Sequence, residues 1–266
     1  MTGGPEQKLP QQQEKPGVGE TLSAAAALMR DHPRETMLPL LAVQAPLVIG
    51  TILVTILLYN SVFLDEMYPR GGITGASEGG GQVFALVVVV AIAVVLGLVG
   101  QAATIVSVAA AALGKPVSLT EALDPAFTRL GGLIVLTIIF AVVGALLALT
   151  IVGLAVIPFL IGRFGIAYQV YLIEEIGPVE ALTRSWRTMN GNMLRLIAIV
   201  IVGFVLVVLI GLLVPVSPGP ESMSRGGRMA IDALIQILQG GVAIPLTAFA
   251  HAAITLYYLR IREEPS

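Results

Sequence analysis

The chain has 266 residues, 56% of them apolar and 12% charged, with a mean hydropathy of +0.91 and a formal net charge of −2. That composition falls outside the range of soluble domains and marks an integral membrane protein, while the slightly acidic balance argues against a nucleic-acid surface. The absence of cysteine removes disulfides, thiolate nucleophiles and cysteine metal sites, and two histidines far apart in sequence, His32 and His251, leave no histidine-rich one.

In chain order, Met1 to Val18 is rich in Gln, Gly, Pro and Lys and reads as a disordered tail. No apolar core follows at the distance a signal peptide needs. Residues 19–262 read as a single membrane domain. Glu20 to Arg34 is a first amphipathic segment with Leu22, Leu28 and Met29 apolar, followed by span one, 38–59. Ser61 to Gly81, with Asp65, Glu66, Arg70 and several glycines, is expected to be a flexible loop. Span two starts at Val83 and continues to Ala112. Its Gly97, Gly100, Ala102, Ala103 and Ala109 to Ala112 are small residues of the kind that lets helices approach closely.

Lys115 to Arg129 is a second charged interval, in which Ser118 and Glu121 form a capping box and Leu123, Phe127 and Leu130 share a face. Spans three and four follow at 132–150 and 154–173, with Gly153 as the expected tight turn between them. Span five is 194–214. After a proline-containing loop to Arg228, Met229 to Leu238 reads as a lead-in helix to span six, 240–259, with residues 263–266 as a tail.

The longest charged interruption between apolar runs is Glu174 to Arg195. Pro178 suits a first helical position, and Val179, Leu182, Trp186 and Met189 recur at spacings of three and four. Glu180, Thr183, Arg184 and Arg187 take the other side, and Asn190-Gly191-Asn192 is a stop signal. The helix is too short to span a bilayer and is expected to lie at the interface, at a depth that suits Trp186. Glu174, Glu175 and Glu180 balance Arg184, Arg187 and Arg195, so apolar burial rather than charge should hold it there.

Aligning Glu20, Glu121 and Glu180 brings out an internal repeat. Leu22, Leu123 and Leu182 correspond, as do Ala26, Phe127 and Trp186, and Met29, Leu130 and Met189. The expected fold is therefore all-α and integral to the membrane. Six transmembrane helices form three hairpins, each preceded by a cytoplasmic interfacial amphipathic helix. With the N-terminus inside, the inner segments hold 11 of the 15 basic residues, which places both termini in the cytoplasm of a cell whose plasma membrane the chain spans.

The run Glu174/Glu175-x-Gly177-Pro178-x-Glu180-Ala181-Leu182-x-Arg184-Ser185-Trp186-Arg187, then Gly191-Asn192, resembles the signature of bacterial membrane domains related to the membrane domain of glycerophosphoryl diester phosphodiesterases. Arg163 and the closing Tyr257-Tyr258 with Arg260 and Arg262 are also similar to that family, and the resemblance covers roughly Glu20 to Arg262. In that family catalysis belongs to a separate soluble barrel. The resemblance implies a six-span membrane module and no phosphodiesterase activity.

Arg163 is the most informative single residue. It falls near the middle of the expected span four, where an arginine costs about 2.5–3.5 kcal/mol. Two readings stand: an anion or lipid-phosphate site or gating pair, and a structural clamp to helix-end carbonyls or a snorkelling side chain. Gln101, Tyr168, Gln169 and Glu174 are candidate partners. His251 reads as a histidine bonded to a neighbouring helix, and Ser185 has no His–Asp partners placed for nucleophilic chemistry. No catalytic, cofactor or metal residue is assigned. The lipid, anion or structural site is expected at Arg163, Glu174, Glu175, Glu180, Arg184, Trp186 and Arg187. The function expected is a non-enzymatic scaffold or sensor that meets the lipid bilayer and a membrane or cytoplasmic protein partner, not nucleic acid. The alternatives are a transporter or channel with Arg163 as its anion site, and an enzyme acting on lipid.

Overall fold

Helix-forming apolar runs and a few sharp stop signals set the architecture. The computed structural model describes residues 17–67, 75–213 and 225–262, with side chains outside 51–86, 154, 210–211, 213–226, 228–229 and 232. Among the described residues every regular element is a helix. In order these are α1 (Val18–Asp31), α2 (Pro33–Met67), α3 (Gly75–Ala112), α4 (Leu119–Thr128), α5 (Leu130–Ala148), α6 (Ile151–Phe164), α7 (Ala167–Ile173), α8 (Pro178–Thr188), α9 (Met193–Leu213) and α10 (Arg225–Arg262).

Four helical stretches are long and apolar enough to cross a membrane: Val87–Ala112, Leu130–Ala148, Ile151–Ile173 and Ala233–Arg262. A fifth is added if α8 and α9, bent by 105° at their junction, count as one broken span. The expected spans one and five both run into residues whose side chains are not described. The chain is thus a helical protein with several segments able to cross a membrane.

Several boundaries differ from expectation. The segment 61–81, expected to be a loop, is helical at 61–67 and again at 75–81, so only 68–74 lies outside the described residues there. At 38 residues α3 is about 57 Å long, well beyond a ~30 Å hydrocarbon layer, because Ala, Ser and Glu in its glycine-rich start tolerate a helix that already has a long apolar body. The turn between α5 and α6 lies at Leu149-Thr150 rather than at Gly153. Thr150 accepts a hydrogen bond from the Gly153 N–H at 2.9 Å and so caps α6. The lead-in helix at 229–238 is continuous with the last span. The expected tail falls outside the described residues, apart from Gly17, which caps α1, and Val18, its first residue.

Local chemistry explains the shorter helices. The capping box at α4 is present: the Ser118 N–H donates to Glu121 at 2.7 Å, and the Ser118 hydroxyl oxygen accepts from the Glu121 N–H. Pro178 occupies the first turn of α8, which closes on Met189, and Gly191, with φ of 80°, takes the left-handed region in the turn that leads to α9. At the end of α3, Gly114 has φ of 69°. The Lys115 N–H reaches the Ala110 carbonyl and the Gly114 N–H reaches that of Ala111, a Schellman closure.

The core is packed at the end of the bundle that carries the short helices. Ile105, Val108, Leu133, Leu136, Ile166 and Leu196 are buried there together with Tyr257 and Tyr258. Close crossings use small residues: Gly100 of α3 meets Val43 of α2, and α10 buries Ala248, Ala252 and Ala253. Toward the opposite end α5, α6 and α9 present large apolar side chains outward, and Leu149 and Ile151 at the α5–α6 turn are 82% and 89% exposed.

Of the apolar positions expected on α1, α4 and α8, Met29 and Met189 are buried and Leu22, Leu28, Leu123, Leu130 and Leu182 pack against the core. Each helix buries the residue after its aligned glutamate, Thr21, Ala122 and Ala181, and the residue four further on, Ala25, Ala126 and Ser185. Phe127 is 57% exposed, and Val179 and Trp186 are exposed as well. α1 packs against α2, α9 and α10, α4 against α2, α3 and α5, and α8 against α5, α6 and α7.

Candidate functional site

The expected site residues collect around α8 in two clusters. The first is built where α6 stops. Gly165 caps α6 through its N–H to the Ile161 carbonyl, and α7 begins two residues later. Arg163 therefore stands in the last turn of α6, beside α8, and, as expected, near the middle of the apolar stretch Ile151–Ile173 that α6 and α7 make together. The Ser185 hydroxyl donates to the Arg163 carbonyl at 2.8 Å, which satisfies a helix-end acceptor. The Arg163 guanidinium lies over the rings of Trp186, at 4.7 Å, and Phe159, at 5.6 Å, and makes a long hydrogen bond of 3.4 Å to the Trp186 carbonyl. Its Nε is buried with no hydrogen-bond partner. Among the described residues no hydrogen bond or ion pair joins it to Gln101, Tyr168, Gln169 or Glu174. The Tyr168 hydroxyl bonds to that of Thr137 at 2.9 Å, and Glu174 is engaged elsewhere. Clamp chemistry is thus present, and part of the guanidinium is left free.

Arg195, which sequence reasoning treated only as an orienting charge, lies in the first turn of α9. It lines a cavity of about 370 Å³ together with Arg163 and the turn residues Met189, Gly191, Met193 and Leu194. Its Nη1 is buried without a partner, and among the described residues neither arginine has a carboxylate within ion-pair distance. The sequence signal was available: Arg195 is a basic residue at the start of a strongly apolar helix, directly after a glycine turn.

The second cluster joins the α7–α8 turn to the end of α10. Glu174, whose side chain is 16% exposed, accepts from the Tyr258 hydroxyl at 2.5 Å and from Arg184 at 3.1 Å. Arg129, at the α4–α5 junction, donates to the carbonyls of Tyr171 and Glu175, both at 3.0 Å, and the Tyr171 hydroxyl returns a bond to the Arg129 carbonyl. Arg129 thus closes the end of α7. Glu175 takes φ of 57°, unusual for a non-glycine residue, and its carboxylate is a looser 3.6 Å from Arg129. The Tyr257 hydroxyl donates to the Asn192 carbonyl at 3.0 Å and ties α10 to the α8–α9 turn. Glu180 and Arg187 are exposed and join neither cluster.

A larger cavity of about 470 Å³ lies on the other side of α6, among α3, α5, α9 and α10. Its walls are apolar, with Phe140, Leu160, Val200 and Ile254 prominent, and Gln101 and Tyr168 supply polar groups. His251 of α10 keeps its Nδ1 buried without a hydrogen bond, contrary to the bonded histidine expected. No protein-family model matches the chain, and no curated protein or solved structure is similar to it.

Proposed function

We propose that this chain is a non-enzymatic, multi-spanning plasma-membrane protein that binds membrane lipid and acts as a scaffold or sensor, its protein partner lying in the membrane or the cytoplasm. The observation that carries the reading is the apolar cavity of about 470 Å³ beside α6. Its volume and its few polar groups match those of small-molecule sites. In a chain with four or five segments able to cross a membrane, the apolar molecule at hand is an acyl chain. Gly144 lines the cavity, and a Cβ there would meet open space, so Gly144→Phe fills the cavity without a backbone clash. Lipid extracted from detergent-purified protein should fall at least severalfold in Gly144→Phe. Equal retention by both proteins, or none by wild type, refutes the lipid reading.

The same proposal includes six spans in three hairpins, both termini in the cytoplasm, and kinship with the membrane domain of glycerophosphoryl diester phosphodiesterases. One set of facts bears on the repeat behind the hairpin reading: the aligned glutamates all occupy the third position of a short helix, and that helix buries small residues at the same two offsets in each case.

A second reading, a transporter or channel with Arg163 as its anion site, is favoured by the 105° bend between α8 and α9, since broken helices mark many transporter sites. Anion flux into proteoliposomes that disappears in Arg163→Leu would establish it.

A further inference from the structure

We infer that Arg163 and Arg195 form a binding site for a phosphate-bearing anion, in the cavity of about 370 Å³ where α6 ends beside the α8–α9 turn. Two arginines share this cavity, and each keeps a guanidinium nitrogen buried without a hydrogen-bond partner. Buried polar atoms in native proteins are nearly always paired, and both arginines are otherwise only partly buried, so the rest of each guanidinium stays accessible from outside. The carboxylates closest in sequence are committed elsewhere: Glu174 to Arg184 and Tyr258, Glu175 to Arg129. Glu180 is exposed and does not line the cavity. What the two guanidiniums lack is an anion from outside the chain.

The walls define which anion fits. Trp186 and Phe159 hold the Arg163 guanidinium from the side and leave its remaining N–H groups for a ligand. Met193 and Leu194 open α9 at the cavity wall, where the first N–H groups of a helix have no partner within it. Two planar forks and a helix start suit a group with several acceptor oxygens, and phosphate is the commonest such group at a membrane. Methionine and leucine walls beside the charge leave room for an apolar substituent on that phosphate. The phosphate belongs either to a lipid headgroup, in which case the inference deepens the lipid reading, or to a soluble anion, in which case it stands without it.

Arg195 gives the cleaner variant, because among the described residues it makes no hydrogen bond or ion pair that its loss would break. The protein would be placed in nanodiscs of phosphatidylcholine containing a minor fraction of phosphatidylglycerol, and the lipids it retains counted by native mass spectrometry. Wild type, Arg163→Gln, Arg195→Gln and Gly144→Phe would be compared, and inorganic phosphate would be titrated against each in detergent with the thermal midpoint as readout. The expected result is enrichment of phosphatidylglycerol over phosphatidylcholine by wild type and by Gly144→Phe. That enrichment should fall about tenfold or more in either arginine variant. Arg195→Gln should also melt no lower than wild type when no anion is present, whereas a purely structural arginine would lower the midpoint. If inorganic phosphate raises the wild-type midpoint, fails to raise that of Arg195→Gln, and no lipid is enriched, the anion site stands and its ligand is soluble. If all four proteins retain phosphatidylglycerol equally, or no anion of either kind distinguishes wild type from Arg195→Gln, the site is refuted. Loss of total lipid in Gly144→Phe alone bears on the apolar cavity and not on this site.

Discussion

Tyr258→Phe isolates one hydroxyl at the junction of α10 with the α7–α8 turn. Glu174 has two partners of different worth. Tyr258 donates to one carboxylate oxygen at 2.5 Å from a buried ring, while Arg184 reaches the other at 3.1 Å from a side chain that is 56% exposed. A hydrogen bond to a charged acceptor contributes about 1.5–3 kcal/mol, whereas an exposed ion pair contributes roughly 0.2–1 kcal/mol. Removing the hydroxyl should therefore cost about 2 kcal/mol, and Arg184→Ala less than about 1 kcal/mol. Equilibrium unfolding in mixed detergent micelles gives both values. A double-mutant cycle of Tyr258→Phe with Glu174→Ala should return a coupling of at least about 1 kcal/mol, since either change removes the same interaction. The reasoning fails if Arg184→Ala costs more than Tyr258→Phe, or if the coupling vanishes.

Three further outcomes follow from other contacts. Arg129→Lys keeps the charge but loses the two-pronged grip on the Tyr171 and Glu175 carbonyls, and should cost about 1–3 kcal/mol in the same unfolding measurement. Glu175→Gly relieves a left-handed backbone at the expense of a loose, exposed ion pair, and should raise stability by up to about 1 kcal/mol. Ser118 holds the Glu121 carboxyl below its ordinary value of 4.5, chiefly through its backbone N–H and then through its hydroxyl. A lowered folded-state value means that this contribution is complete above the ordinary carboxylate range and lost as pH falls through it. The thermal midpoint of Ser118→Ala should accordingly lie below wild type near neutral pH, with the gap narrowing under acid conditions.

Helix-forming runs, the capping box at Ser118 and the turn at Gly191 were legible because they depend on neighbours in sequence. The buried faces of the short helices were legible only in part. In a soluble protein Val179, Phe127 and Trp186 would be the buried stripe, and periodicity would have found it. A large apolar side chain on a short amphipathic helix has a membrane interface as a second place to bury itself, so periodicity alone does not say which face turns to the protein, and small residues allow the close approach to the long helices. Thr21, Ala25, Ala122, Ala126, Ala181 and Ser185 are the inward positions for that reason. Arg163 was recognisable as a costly charge, but its neighbours depend on α6 ending at Gly165 and α8 folding back beside it, and no local pattern encodes that contact. Arg195 became visible as a site residue only once the cavity placed it with Arg163.

The charged end of the bundle owes its geometry more to packing than to its ion pairs. Glu20 and Arg260 join residues 240 apart in sequence at 3.1 Å, yet the pair is substantially exposed and holds the two ends of the chain together only weakly. The stronger tie is α1 itself, which buries Thr21, Ala25 and Met29 while packing on α9 and α10. The same relation links α4 to α2 and α3, and α8 to α5, α6 and α7, so these two short helices cover helices that precede them, while α1 packs on α2 as well as on the last pair. An arrangement closed in this way fixes the position of every short helix from two sides. Arg129 then meets Tyr171, 42 residues away, and Glu174 meets Tyr258, 84 residues away, without strong charge pairing to draw them together. Such a frame can also hold Arg163 and Arg195 in one cavity: two like charges would drift apart on flexible segments, and only a rigid junction keeps them where an anion can bridge them.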